Sequence, residues 1–452
     1  MRSRHVKVLH RLCGRPMLEY TLALLAPVGV RRTILVLGHQ ADAVAETLKS
    51  RGMSPPDLQI AIQTEQRGTA DAVRTAMPLL PEDSGTVLIL YGDTPLLTEA
   101  RLRKLIAASQ GRALAMLSTR LTDPSGYGRL LRDGSGAPLR IIEDRDCSPE
   151  EKQISEINAG MYAIDSAFLR RALGRVGASN AQREFYLTDL VAEAVAEKAS
   201  IAAELAPPEE TLGVNDRVDL AQAESILRRR INEAHMRRGV TLRDPATTYI
   251  DDEVTLGGDC ELGPGVVLRG RVSVGERCVI ETGCVLTDVT VAEDSHLKPY
   301  TIATDSQIGP AAQMGPFSHL RPGSTLERGV HIGNFVELKK THVGAGSKAN
   351  HLAYLGDAEI GAGVNVGCGT ITCNYDGVAK HKTVIEDGVF IGSDTQLVAP
   401  VRVGRGAIIA AGTTVTRDIP AGALTLSRVP QVDKPDYAEQ LRARQAAAHK
   451  KK

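Results

Sequence analysis

From Ile250 to Val415 an aliphatic residue returns at every sixth position in three long runs. Ile250, Leu256, Leu262, Leu268, Val274, Ile280 and Leu286 make the first; Ile302, Ile308, Met314, Leu320, Leu326, Ile332 and Leu338 the second; Ile385, Ile391, Leu397, Val403, Ile409 and Val415 the third. Glycine often follows at once, as in Ile308-Gly309, Ile332-Gly333 and Ile391-Gly392. A period of six fits neither a helix nor an ordinary strand, so the repeat itself is the structural unit. Three six-residue legs close one turn of a triangular coil, with the aliphatic residue inward and the glycine easing the bend. The pattern predicts a parallel β-helix of about nine coils at roughly 18 residues each, stacked by backbone hydrogen bonds. The runs are out of phase, so residues are gained or lost near 287–301, 339–359 and 367–384, and these breaks are expected to be loops on one face.

Residues 1 to about 215 follow another rhythm. Apolar positions at helical spacing predict helices over 16–26, 41–49, 68–77 and 98–108, and short apolar runs predict strands over 33–38, 58–63, 86–90 and 113–119. Strands that are apolar along their length and alternate with helices imply a parallel sheet covered on both faces, an α/β doubly wound domain over 1–217. Ligands in such a sheet bind at the carboxyl ends of the strands. The stretch 218–238 reads as an amphipathic connecting helix, and 239–452 as the repeat domain with a basic tail, helical or disordered, beyond 440.

Charge narrows the picture: 54 Lys and Arg balance 54 Asp and Glu. Nothing there argues for nucleic acid or a membrane surface as partner. No apolar run approaches the roughly 18 residues of a membrane span and the start lacks a signal peptide's apolar region, so a cytoplasmic location is expected. Seven cysteines without a CxxC pair point to reduced thiols rather than disulfides or zinc. Cys278 and Cys284, six apart, are expected to stack in neighbouring legs as packing residues. The absence of Trp and the five Phe suit a narrow interior of Leu, Ile and Val.

Candidate chemistry follows the strands. Asp93, in Tyr91-Gly92-Asp93, directly follows the third predicted strand, where a carboxylate can hold a magnesium ion that bridges phosphates. Gln63 to Ala70, containing Gly68 and Thr69, joins a strand to a helix N-terminus and offers amides to an anion. In the repeat domain His351, in Gly346-Ser347-Lys348-Ala349-Asn350-His351, is a candidate general base. Arg321 follows run position Leu320 and Lys339 follows Leu338, so equal phase places both on one face, where the planar Arg fork suits phosphate. The polar stretch Thr370 to Gly377 interrupts the runs and leads into Lys380-His381-Lys382. His319, His331, His342 and His351 invite a zinc reading, but that requires three of them to converge across an interface. A non-enzymatic scaffold is the other reading of a solenoid, though it has no need of Asp93, His351 and the cation pair together.

The ensemble of Lys7-Val8-Leu9-His10, Gly126-Tyr127-Gly128-Arg129, Ile142-Glu143-Asp144, Asn158-Ala159-Gly160, Gly213-Val214-Asn215 and the repeats resembles the bacterial bifunctional N-acetylglucosamine-1-phosphate uridyltransferase and glucosamine-1-phosphate acetyltransferase family. The resemblance runs from the first residue to the last, although Val6 replaces the proline the family carries before the lysine. It implies a nucleotide-diphospho-sugar transferase-like first domain and a left-handed parallel β-helix. It also implies acetylation of glucosamine-1-phosphate followed by uridylation to UDP-N-acetylglucosamine, with UTP and acetyl-CoA as co-substrates, Mg2+ as cofactor and a homotrimer as the assembly. By resemblance Lys7 binds phosphates; Gln63, Gly68 and Thr69 contact uracil; and Tyr91, Gly92 and Asp93 lie at the nucleotide. Gly128, Glu143 and Asn158 hold the sugar, and Asp93 and Asn215 ligate the metal. His351 is the catalytic base; Arg321, Lys339, Tyr354 and Asn365 bind glucosamine-1-phosphate; and Cys368, Asn374, Tyr375, Ser393, Ala411 and Arg428 bind acetyl-CoA. The family also opens with an apolar strand and a glycine-rich loop ending in Gly-Thr-Arg-Met, whereas here Met1-Arg2-Ser3 aligns with that methionine. Two explanations stand: translation begins upstream, or the uridyltransferase half is lost and the chain acetylates only. The intact remaining motifs favour the first. Without a central strand, its neighbours are expected to carry unpaired backbone groups.

Overall fold

The computed structural model describes residues 1–452 apart from His39, Asp83, Ser179, Ala181, Arg428 and 450–452. The chain divides into two compact units, Met1–Glu233 and Ala234–Lys452.

In the first unit the alternating elements form with small shifts at their ends: helices Met17–Ala23, Ala41–Ser50, Thr69–Ala76 and Glu99–Ser109, and strands Thr33–Leu37, Leu58–Ile62, Thr86–Ile89 and Leu114–Arg120. Thr33–Leu37 pairs in parallel with Leu58–Ile62, and Leu114–Arg120 with Ile201–Leu205. The sheet is not wholly parallel, however. Glu156–Asp165 runs antiparallel to both Leu114–Arg120 and Thr86–Ile89, and the hairpin of Arg129–Arg132 with Pro138–Ile142 lies beside it. Among the described residues, no α-helix lies between Arg120 and Glu156. A tight hairpin connection, as between Arg129–Arg132 and Pro138–Ile142, returns its strand antiparallel. Both faces are covered as expected: Leu114 and Met116 pack on one side with Ile164 and Phe168, while Ala115 and Leu117 face Leu102, Leu105 and Met161 on the other. The helix Arg217–Arg237 contributes Ala223, Ile226 and Leu227 to a third cluster with Leu12, Met17, Tyr20 and Leu96.

Among the described residues, two strands of this unit pair along one edge each. Among the described residues, Thr33–Leu37 pairs with Leu58–Ile62 alone, and Thr86–Ile89 with Glu156–Asp165 alone. A cavity of about 780 Å³ lies between the two edges, lined by Leu35, Leu37, Leu88 and Leu90 from the strand segments and by Val8 and Leu18.

The second unit is the parallel β-helix. Leu268, Leu286, Ala303, Leu320, Leu338, Leu355, Thr372, Leu397 and Val415 stack above Ile250 in one interior column. Ile302 departs from its predicted place: it is 43% exposed, and Ala303 takes the interior position. The reason is a coil one residue short, which shifts the phase of the run. The short legs are Leu286–Val291, Ala303–Ile308, Leu338–Val343 and Leu355–Ile360, and all turn at the same corner through Asp288, Asp305, Lys340 and Asp357, each with φ between 42° and 53°. At that corner the leg Thr372–Ile385 expands into a loop. Two of the three expected loops are thus tightened turns. His351 lies at a different corner, within the strand Lys348–Gly356, and not in a break.

Cys278 and Cys284 are both fully buried, but the thiol that meets Cys278 is that of Cys260 one coil away, because side chains in one column face each other and those in adjacent legs do not. The tail forms the helix Tyr437–His449.

Candidate functional site

Lys7 begins a single 3-10 turn, and its ammonium meets Asp93 Oδ2 at 2.6 Å and Asn215 Oδ1 at 2.8 Å. The backbone fixes the two acceptors together, since Val214 N donates to Asp93 O at 2.9 Å. Two hard oxygens thus converge on one cation at the end of a strand. That donor set suits magnesium, which takes one or two protein oxygens and completes its shell with water and phosphate. No cluster of three or more His, Cys, Asp or Glu that could hold a metal occurs among the described residues.

Gly68 has φ 115°, and a Cβ there would lie 2.5 Å from Phe185 O, so only glycine permits this approach. Thr69 Oγ1 accepts from Leu187 N at 3.0 Å, tying the helix start to segment 185–187, and Gln63 Nε2 donates to Asp71 at 3.0 Å. A second group gathers around Glu143. Thr188 Oγ1 donates to its carboxylate at 3.1 Å, and a Cβ on Gly128 would meet that carboxylate at 3.3 Å. Asn158 N donates to Gly128 O, and Asn158 Nδ2 to the buried Tyr162 hydroxyl at 2.7 Å. Burial raises Glu143 above its ordinary value, and the nearby Asp146, Asp189 and Asp144 add to this. Tyr91 covers Gly160, whose Cβ would strike its ring, and burial pushes the phenol up to about 12. Gly92 leaves room for Leu18. Tyr162 escaped the sequence reading because a tyrosine in an apolar strand looks like core.

In the β-helix, one corner collects the residues expected at acetyl transfer. Asn334 and His351 lie in register on adjacent coils. Gly369 N donates to Leu352 O, Asp394 N to Cys368 O and Gly412 N to Ser393 O, so the column continues through Cys368, Ser393 and Ala411. His351, Cys368, Ser393 and Ala411 are exposed. Beside His351 the same corner carries Leu352 and, on the coils below, Tyr300, Phe317 and Phe335, all with φ between 34° and 60° and all about half exposed or more. Tyr300 and Phe317 stack at 5.2 Å, and Phe317 and Phe335 at 5.7 Å.

The legs on either side supply the polar groups. After the corner, Arg321 and Lys339 lie on neighbouring coils in the same phase, with Arg321 Nη1 2.9 Å from Glu337 Oε1. Tyr354 is on the next coil, and Asn365 lies on the leg before the corner, in register with Lys348 and Phe390. The long loop folds back over this face: Asn374 Nδ2 donates to Asp357 Oδ2 at 2.5 Å and to the Tyr354 hydroxyl at 3.5 Å. Tyr375 pairs with Lys380 across the loop, which brings Lys380 against Lys339. The Lys380 charge and contact lower Lys339's pKa, with Arg321 adding to the effect. Lys380 was visible in the sequence only as part of a basic cluster; its partner depends on the loop closing. Arg428 lies outside the described residues.

Comparison with known proteins agrees with this division. A nucleotidyl transferase family model matches residues 2–206, the bacterial transferase hexapeptide model residues 382–417, and a hexapeptide repeat of succinyl-transferase residues 248–288. The "Bifunctional protein GlmU" of Trichlorobacter lovleyi is 52% identical over 96% of this chain and 94% of its own length. That of Pelobacter propionicus is 51% identical over the same shares, and that of Sorangium cellulosum 49% identical over 100% of this chain and 96% of its own.

Proposed function

The chain belongs to the bifunctional GlmU family, and from that relationship and the two sites we infer that it N-acetylates glucosamine-1-phosphate and then uridylates the product. The observation carrying this reading is that the relationship spans both units while each unit gathers its own polar site.

In the first step the sugar ammonium loses its proton to His351, and the freed nitrogen attacks the thioester carbonyl of acetyl-CoA. The carbon–sulfur bond breaks and coenzyme A leaves as the thiol. Arg321 and Lys339, with Lys380 beside them, hold the sugar phosphate, and Tyr354 and Asn365 orient the ring. The column Cys368–Ser393–Ala411, with Asn374 and Tyr375 from the loop, receives acetyl-CoA; small side chains there let the thioester lie close to His351.

In the second step a phosphate oxygen of N-acetylglucosamine-1-phosphate attacks the α-phosphorus of UTP, and the bond to pyrophosphate breaks. Little covalent chemistry falls to the protein, so positioning and charge neutralisation dominate. Asp93 and Asn215 would hold Mg2+, which neutralises phosphate charge when bound. Lys7 gives its positive charge to the phosphates once they draw it from Asp93. Gln63, Gly68 and Thr69 receive the base, and Tyr91 and Gly92 line the nucleotide. Glu143, Gly128 and Asn158 accept the sugar, and a carboxylate already strained by burial gains most from hydroxyl donors.

We take the working form to be a cytoplasmic homotrimer. The acetyl-transfer groups straddle a convex corner, and a convex edge cannot enclose a small ligand. The exposed ladder Tyr300–Phe317–Phe335–Leu352 continues that corner and supplies apolar surface for a second copy. Incubating the purified chain with glucosamine-1-phosphate, acetyl-CoA, UTP and magnesium should yield UDP-N-acetylglucosamine and pyrophosphate. Product stopping at the acetylated sugar phosphate would refute the second activity, and absence of released coenzyme A the first.

A further inference from the structure

The base needs one particular nitrogen free. His351 Nδ1 lies 3.1 Å from Asn334 Oδ1 on the coil below. A neutral imidazole has one N–H donor and one acceptor nitrogen, and the hydrogen bond made by one decides what the other can do. With the amide oxygen accepting, the proton sits on Nδ1 and the Nε2 lone pair faces outward. With the amide nitrogen turned to the ring, Nδ1 would be the acceptor and Nε2 would carry the proton, leaving nothing to take one from an ammonium.

The surroundings hold Asn334 in place. Strand His331–Lys339 lies in register with Lys348–Gly356, and a Cβ on Gly333 would come within 1.8 Å of Asn350 O, so glycine is required for this approach. Phe335 next to it takes φ 59° and stacks on Phe317, pinning the bend that aims Asn334 at the ring. In the same column the coil below offers Pro316, which has no polar side chain, and the coil above Cys368, a weak hydrogen-bonding group.

We propose that Asn334 is a positioning residue that selects the Nδ1–H tautomer of His351 and so keeps Nε2 free as the base. The proposal rests on the reading of His351 as the base of acetyl transfer. A neutral amide fixes the tautomer without the extra stabilisation of imidazolium that a carboxylate brings, so the base can release its proton again after each turnover.

The test compares Asn334→Ala, Asn334→Asp and His351→Ala across pH with glucosamine-1-phosphate and acetyl-CoA, uridyl transfer being measured in the same samples as a control of integrity. Asn334→Ala should lower kcat about tenfold, with little change in KM for either substrate. Asp can only accept, so Asn334→Asp should retain most of kcat and move the acidic limb of the pH profile upward. In the His351→Ala background, Asn334→Ala should cost nothing more. A wild-type profile in Asn334→Ala, or Asn334→Asp as impaired as Asn334→Ala with an unmoved limb, overturns the proposal. Should Asn334→Ala lose uridyl transfer as well, the Asp variant alone decides. Full acetylation by His351→Ala would instead sink the base reading beneath it.

Discussion

Replacing Lys380 by alanine separates binding from stability. The loop that carries it is held from within: Asp376 accepts from Val378 N at 2.8 Å, Ala379 N at 2.7 Å and His381 Nε2 at 2.7 Å, and these bonds keep its carboxyl well below the usual range. Lys380 therefore arrives at Lys339 on a braced hairpin, and the two like charges oppose each other in the free protein. A bound phosphate turns this repulsion into attraction. Losing one charge-assisted contact of about 1.5–3 kcal/mol should lower kcat/KM for glucosamine-1-phosphate by roughly 10- to 150-fold, chiefly through KM. The free protein should lose no stability. Lys339's lowered pKa means that the folded state binds fewer protons than the unfolded one in that range, so wild-type stability rises with pH as Lys339 titrates towards 10.5. The variant should lack that rise. The assays are acetylation kinetics at varied sugar phosphate, repeated at high salt where the difference should narrow, and melting temperature against pH. An unchanged KM, or a large fall in melting temperature with normal acetylation, would refute the reasoning.

Three further outcomes follow from the same geometry. His351→Ala should leave the fold and uridylation intact while acetylation falls by about 10² to 10⁴, read from coenzyme A release. Glu143 has its pKa raised by burial, so its contribution to stability is full below 4.5 and is lost as pH rises through the folded value. Melting curves of Glu143→Gln against wild type should therefore show the wild type losing ground as pH rises from about 4 to 7. If the proposed trimer packs through this ladder, Phe317→Asp combined with Phe335→Asp should shift sedimentation from trimer to monomer and abolish acetylation while uridylation persists; a trimer with normal acetylation would remove the ladder from the interface.

Much of the fold was legible because hydrophobic periodicity reports which side of a local element is buried. The six-residue spacing implied the β-helix, and the columns from Ile250 to Val415 follow it because each coil repeats the same burial problem. The equal phase of Arg321 and Lys339 was readable for the same reason, since position within a repeat is position in space. The parallel pairs of the first unit were likewise implied by helices between strands. Chain order says nothing of the turn's hand or length where no helix intervenes, so the antiparallel strand Glu156–Asp165 appeared only with the sheet.

Tertiary structure decided what depends on contact across coils or loops. A one-residue deletion looks like a break in sequence, yet backbone at positive φ absorbs it at a single corner, and His351 sits elsewhere. Asn334 meets His351 only because coils stack in register, and Lys380 meets Lys339 only because the loop folds back. The sequence nominated candidates such as His351, Arg321 and Lys339; which atoms they present to one another was set by the packing, because hydrogen bonds and like-charge repulsion act over a few ångströms that no linear spacing specifies.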